Sequence, residues 1–211
     1  MAVQNSTGIS SCFPLAAFLT LILAFALDAS TCHAARPNTH GTIGLEFIRT
    51  SCNKTKYPSL CFNSLAAYAP TIQTSPTQLA EASLSVSLSY ARGTSTMMTR
   101  LSKDKGMSSR EAEAISDCME SLGDSVDELK QSLKVMGHLS GENLKLRVND
   151  IQTWVSSALT DENTCLDGFA SNGMKTGERS NVRGRIVRVA QLTSNALSII
   201  SGLAPTESYS P

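Results

Sequence analysis

Histidine is nearly absent from this 211-residue chain, which holds only His33, His40 and His138. That thins the routes to zinc catalysis and to imidazole acid–base chemistry before any motif is considered. Aromatic residues are 5% of the chain with a single Trp, Trp154, which leaves little for a base-stacking platform. Net charge is missing too, with 18 Lys and Arg against 18 Asp and Glu and a pI near 6.8. Nucleic acid is therefore excluded as the main partner, because phosphate binding needs a clustered excess of cations. No Gly-rich phosphate loop occurs; Gly168, Gly173 and Gly177 are scattered, and no G-x-S-x-G elbow is present. What remains is 41% hydrophobic and 17% charged, the balance of a chain that folds around a core. Its length suits one domain without metals or repeats.

The N-terminus lacks charge in a different sense. No Lys or Arg precedes Arg36, and Phe13 to Leu27 reads FPLAAFLTLILAFAL without one charged residue. Cys32-His33-Ala34 then sets small side chains at −3 and −1 of a cut after Ala34. Residues 1–34 are read as a cleaved secretory signal rather than a membrane anchor, so a secreted chain with no later membrane contact is expected. Cys12 and Cys32 leave with the signal, and Cys52, Cys61, Cys118 and Cys165 remain. An even number in a secreted chain predicts two disulfides, with three connectivities open. A four-thiolate zinc site would need short paired C-x2-C spacings, which do not occur, so no metal or other cofactor is expected. A catalytic thiol is disfavoured as well, since His138 is the one candidate base in the folded part.

The body carries a helical pattern. Residues 35–42 are read as a flexible lead-in. Ile43 to Tyr68 holds two short apolar pieces split by NKTKYP, with Pro58 placed to start the second, and so reads as a small helical hairpin. Ser75-Pro76 is a helix start. Leu79, Ala82, Val86, Tyr90, Gly93, Met97 and Leu101 follow at steps of three or four, and Gly106 ends the run. Ser108 and Glu111 fit a capping box. Ile115, Met119, Leu122, Val126, Leu129, Leu133 and Met136 then alternate 4-3, and Gly137 closes them. Leu144, Val148, Ile151, Val155, Ala158, Glu162, Cys165 and Phe169 repeat the alternation, with Glu162 the one polar member. Gly173 and Gly177 mark a loop, and Val182, Ile186, Val189, Thr193, Ala196, Ile200 and Leu203 repeat it again. A 3.5-residue period on four successive helices predicts an all-α fold, an antiparallel up-down four-helix bundle. The bundle spans residues 75–203 of a domain covering 43–203, with a flexible tail at 204–211. Methionines 97, 98 and 119 are read as packing rather than as a ligand surface.

Bundle geometry then selects the disulfides. If the second helix turns back near residues 137–143, Cys118 and Cys165 lie within one helical turn of facing each other. That pairs Cys118 with Cys165 and leaves Cys52 with Cys61 to close the hairpin. Carboxylates occur in groups, Asp161 with Glu162 and Asp124 with Asp127 and Glu128, and are read as solvated faces with ordinary pKa values. Arg183, Arg185 and Arg188 form a small basic patch, balanced elsewhere and too short by itself to argue for binding a membrane or a polyanion. Asn53-Lys54-Thr55 is an N-glycosylation sequon on a turn, which makes Asn53 a glycan acceptor. No nucleophile–base pair is found, so the chain is not read as an enzyme, and such a bundle works through its surface.

Three stretches resemble a known family. FIRTSCNKTKYPSLCFNSL resembles the opening of the plant invertase and pectin methylesterase inhibitors, with its Cys-x8-Cys hairpin. ISDCMESLGDSVDELKQSL is similar to that family's second bundle helix, and DIQTWVSSALTDENTCLDGF to its third. The resemblance runs from about Ile43 to Leu203 and includes all four remaining cysteines. The fold it implies is a four-helix bundle with an N-terminal helical hairpin and two disulfides. Invertase inhibitors carry a Pro-Lys-Phe motif near the second-to-third helix connection, where this chain reads SLKVMGHLSGENLKL. The resemblance therefore points to the pectin methylesterase branch, with acid invertase, in the cell wall or vacuole, as the alternative target. Ser157 stands where that branch usually has the first Ala of an Ala-Ala pair. A pro-region role is disfavoured because no catalytic domain follows Pro211 in this sequence.

The implied activity is a stoichiometric, non-covalent block of the esterase's pectin-binding cleft in the apoplast or cell wall. Thr164 and Asp167, from the T-C-x-D motif, are implied to face the enzyme. Glu120, Asp124 and Asp127 fall off the helical seam and are expected to extend an acidic contact face. A non-inhibitory structural or signalling protein of the wall is the remaining reading.

Overall fold

The structure, a computed structural model, describes residues 39–139, 143–169 and 176–203, with side chains described from residue 41 and, in the last segment, from residue 180. The signal-like residues 1–34 and the tail 204–211 lie outside the described residues. Among the described residues seven α-helices follow in chain order: α1 (Thr39–Cys52), α2 (Pro58–Leu65), α3 (Ala69–Ile72), α4 (Pro76–Leu101), α5 (Ser109–Met136), α6 (Leu144–Gly168) and α7 (Thr176–Ser201). A single 3-10 turn, Ala66–Tyr68, joins α2 to α3. Helices α4 to α7 form the four-helix bundle, each packing on its two neighbours in the cyclic order α4, α5, α6, α7.

Local chemistry sets the helix ends. The Ser75 hydroxyl accepts from the Gln78 amide at 3.3 Å, and Pro76 opens α4 where a missing N–H costs nothing. Ser108 and Glu111 cap α5 reciprocally: the Glu111 amide donates to Ser108 Oγ at 3.3 Å and the Ser108 amide to the Glu111 carboxylate at 2.8 Å. Three glycines behave differently from expectation. Helix α4 stops at Leu101, short of Gly106, whose amide donates to Asp104 instead. Gly137 ends α5 at φ −63°, right-handed, so no left-handed cap is used. Gly177 lies inside α7, while Gly173 lies outside the described residues. The expected lead-in is also corrected, since α1 already includes residues 39–42. Once a helix is nucleated, adding a turn costs little, and only Gly41 opposes it there.

The bundle core has two ends. Around Cys118–Cys165 lie Met98, Ile115, Leu122, Phe169, Val182 and Ile186. Toward the other end Leu84, Leu129, Ile151, Val155 and Val189 pack together. The stripes expected on α6 and α7 are buried from Val148 and Val182 onward, with Leu144 and Leu203 partly buried at their ends. Met119 and Leu133 of α5 are only partly buried. On α4 the register differs by one residue. Tyr90 is 50% exposed and Gly93 is exposed, and Met98 rather than Met97 fills the core. The buried line runs Ala80, Leu84, Ser87, Ala91, Thr94, Met98, a 4-3 alternation built partly from hydroxyls. Ser83, Ser87 and Thr94 donate to carbonyls three or four residues back, at 2.8–3.0 Å, so they enter the core without an orphaned group. Leu79 and Val86 are buried too, but against the N-terminal hairpin.

That hairpin is stapled and docked. Cys52 is bonded to Cys61 and Cys118 to Cys165, with Cα separations of 5.5 and 4.3 Å. Gly44 lets α1 approach α3: a Cβ there would sit 2.5 Å from the Ala69 carbonyl oxygen. Asn195 on α7, 3% exposed, grips the α1–α2 turn with both ends of its amide. Its Oδ1 accepts from the Tyr57 amide and its Nδ2 donates to the Tyr57 carbonyl, both at 3.0 Å.

Two outcomes follow. Asn195→Ala leaves the Tyr57 N–H and C=O without partners and should cost about 2–4 kcal/mol; hydrogen exchange should then quicken in α1 and α2 first, and uniform exchange across the chain would contradict this docking role. Reducing the Cys118–Cys165 bridge should cost roughly 4 kcal/mol and the Cys52–Cys61 bridge roughly 2.5–3 by chain entropy; equal melting temperatures with and without dithiothreitol would count against both.

Candidate functional site

The α5–α6 pair is the most closely associated in the bundle, and its outer side carries the residues singled out in the sequence. Thr164 and Asp167 flank Cys165, whose bond to Cys118 ties that turn of α6 to α5. Both are exposed. The Thr164 hydroxyl donates to the Thr160 carbonyl at 3.0 Å, which leaves its oxygen lone pairs free for an incoming donor. Asp167 sits in the last turn of α6, where the helix dipole opposes a carboxylate.

On α5, Glu120, Asp124 and Asp127 are exposed along one stripe. They do not act alike. Asp127 is paired with Lys130 at 2.6 Å, an exposed i,i+3 contact of little worth to stability. Asp124 belongs to a cluster whose other members, Glu128 and Asp161, were read as ordinary solvated acids. Burial pushes the Glu128 carboxyl above its usual range; a hydrogen bond from Ser157 lowers it, and the hydrogen bond and charge of Asp161 and the charge of Asp124 raise it further. Burial likewise raises Asp161, the hydrogen bond with Glu128 opposes this, and Asp124 adds to it. Crowded together across the helix pair, Glu128 and Asp161 each hold a proton more readily than an isolated acid.

Beneath them lies Glu162, fully buried at 0% exposure. Its Oε1 accepts from Ser125 Oγ on α5 at 2.8 Å and from Thr193 Oγ1 on α7 at 2.9 Å, while its Oε2 has no hydrogen-bond partner. Burial dominates its titration and pushes it from 4.5 up to about 8; the two hydroxyls pull down, and Asp161 and Glu128 push up. The solvated reading of Glu162 is thus overturned, and the sequence feature that points to its burial is its place in the 4-3 seam. Glu128 and Asp161 gave none, because their partners come from another helix.

Asn53 is exposed in the turn after α1. Thr55 of the same sequon is 7% exposed, its hydroxyl donating to the Cys52 carbonyl at 2.8 Å. Among the described residues no group of three or more His, Cys, Asp or Glu is placed to hold a metal ion, and no helix is long and apolar enough to cross a membrane.

The titration of Glu162 sets a stability profile. Below about pH 4.5 it is protonated in both folded and unfolded chains, and its contribution is full. As pH rises toward 8 the unfolded chain ionises while the folded one holds its proton, so stability falls, by up to about 5 kcal/mol for that group. The melting temperature should drop from pH 5 to pH 8, and Glu162→Gln should remove most of the slope. A variant with the parent's slope would show that Glu162 is not its source.

Residues 46–199 match the family described as plant invertase/pectin methylesterase inhibitor. The chain is 45% identical over 162 residues to the "21 kDa protein" of Daucus carota, covering 75% of this chain and 84% of that one. It is 40% identical over 197 residues to pectinesterase inhibitor 9 of Arabidopsis thaliana, covering 90% and 95%. The crystal structure of a mutant form of a pectin methylesterase inhibitor from Arabidopsis superposes with a TM-score of 0.60 at 21% identity, covering 73% of this chain and 95% of that one. At that identity the superposition speaks for the fold.

Proposed function

The chain belongs to the plant invertase/pectin methylesterase inhibitor family, and from that premise we propose that it is a secreted inhibitor of pectin methylesterase, acting by a stoichiometric, non-covalent block of the enzyme's pectin-binding cleft. The observation that carries this reading is the near end-to-end similarity to a pectinesterase inhibitor, 40% identical over 197 residues. The exposed residues around a rigid disulfide-linked helix pair supply the means. Thr164 and Asp167, on the turn of α6 that Cys118–Cys165 ties to α5, meet the enzyme first, and Glu120 and Asp124 extend the acidic face. Asp127 contributes after releasing Lys130. Such a contact buries roughly 1,200–2,000 Å² in total. Preorganisation keeps its entropic cost low, because bridge and core hold the helices before binding.

Secretion to the apoplast fits two disulfides, which persist in oxidising compartments. Asn53, exposed beside the Cys52–Cys61 staple, is the glycan acceptor, and a glycan there projects from the hairpin rather than from α5 and α6.

The oxidised protein is mixed with a plant pectin methylesterase and, separately, with an acid invertase. Esterase activity should titrate to near zero at one equivalent while invertase activity is unchanged. Asp167→Ala should weaken inhibition about tenfold, the effect of losing one interface anchor, with the melting temperature unchanged. Loss of invertase activity alone would redirect the assignment, and an unaltered inhibition constant for the variant would remove Asp167 from the contact.

A further inference from the structure

The bundle side away from α5 and α6 holds a groove with different chemistry. A cavity of about 550 Å³ opens between α2, α4 and α7, lined among others by Leu60, Asn63, Tyr90, Gly184, Arg185 and Arg188. We propose that this groove binds a short acidic oligosaccharide of the uronate class, such as de-esterified pectin.

Charge is the first support. Arg185 and Arg188 lie one helical turn apart, both exposed, and neither has an ion-pair partner among the described residues. Helix α7 carries four arginines against one acid, Glu178, two turns before Arg185. Helix α2 contributes no charged residue to the groove, and α4 has Arg92 beside Tyr90, its sole acid being the distant Glu81. The cations here are thus not offset by the neighbouring elements. Guanidinium groups form planar, paired hydrogen bonds with carboxylates, and two of them one turn apart present about 5–6 Å between Cβ atoms.

Shape is the second. Tyr90 is the most exposed aromatic ring among the described residues, 50% open, beside these cations. A ring in that position offers a flat apolar face for a pyranose and a hydroxyl at its edge. The Asn63 amide, exposed on the opposite wall, supplies both a donor and an acceptor for sugar hydroxyls. Gly184 leaves the floor open: a Cβ there would meet nothing within 4 Å, so packing of the protein does not require the gap. The volume falls in the ordinary range for small-ligand sites, about 300–1,000 Å³. A bare phosphate would leave most of it empty, and an acidic peptide has no flat face to match Tyr90.

The groove sits between α4 and α7, and the acidic face sits on α5 and α6, so both can be occupied together. Bound to a wall carbohydrate, the protein would be held where its proposed target works.

The test is isothermal titration of the oxidised protein with a galacturonate hexamer, its fully methyl-esterified counterpart and polyglutamate. The assay contains no esterase, so its result is independent of the inhibition test. The acid hexamer should bind, and its methyl ester should bind at least about tenfold more weakly, as expected for loss of charged hydrogen bonds. The double change Arg185→Gln with Arg188→Gln should weaken binding by about tenfold or more, and Tyr90→Ala by about fivefold. Gly184→Met, which fills the floor and keeps every charge, should abolish it. Each variant is carried forward with helicity and melting temperature matching the parent, and esterase inhibition should be unchanged in all. Absence of binding at millimolar hexamer, equal affinity for polyglutamate, or parental affinity in the arginine or Gly184 variants would overturn the proposal.

Discussion

One oxygen atom joins three helices at the centre of this molecule. Glu162 Oε1, on α6, accepts hydroxyls from Ser125 on α5 and Thr193 on α7, and no water reaches it. A carboxyl in that position is neutral, because an ionised one would have to be stabilised by more than two hydroxyl donors. Both hydroxyl bonds to Oε1 are made in one relative placement of the helices, while Oε2 is left without a partner. The same placement brings Cys118 to Cys165 and lays Glu128 beside Asp161. Polar specificity in the core and the covalent clamp thus act on the same register, and the outer face of α5 and α6 inherits its rigidity from both.

Charge is distributed unevenly on a chain that is neutral as a whole. Acids gather on α5 and α6, and arginines on α7, where Arg183, Arg185 and Arg188 have no ion-pair partner among the described residues. The two sides are separated by the width of the bundle, so each presents its own field within a screening length of about 8–10 Å. A bundle with one acidic side and one basic side can engage two kinds of partner without rearrangement. This matches the absence of a nucleophile and base pair in the sequence.

The N-terminal hairpin depends on the bundle for its place. Its own staple, Cys52–Cys61, closes a short loop and fixes α1 against α2. Docking is left to Leu79, Val86 and Leu192 and to the two-pronged amide of Asn195. Helix α4 therefore serves two cores: Leu79 and Val86 face the hairpin, while Leu84 and Leu88 face the bundle. This double duty explains why the apolar residues of α4 misled as a guide to its seam. Periodicity marks a helix with one buried face, and α4 has two.

The four bundle helices and their order, the N-terminal caps of α4 and α5, the 4-3 seams of α6 and α7 and both cysteine pairs are set by local chemistry and period, so the sequence alone determined them, whereas the short helix α3 and the helix ends near Gly106 and Gly177 escaped it. Ser75, Ser108 and Glu111 act on their own helix ends, and Val148 to Phe169 repeat one face. The resemblance of three stretches was enough to place the family. Four things were decided by tertiary structure alone. They are the hydroxyl-lined seam of α4, the raised titration of Glu128 and Asp161, the grip of Asn195 on Tyr57, and the groove that Tyr90 lines together with Arg185 and Arg188. Each joins residues far apart in the chain through dielectric burial or directional bonding. Those quantities depend on distance in space, and a one-dimensional pattern carries no record of it.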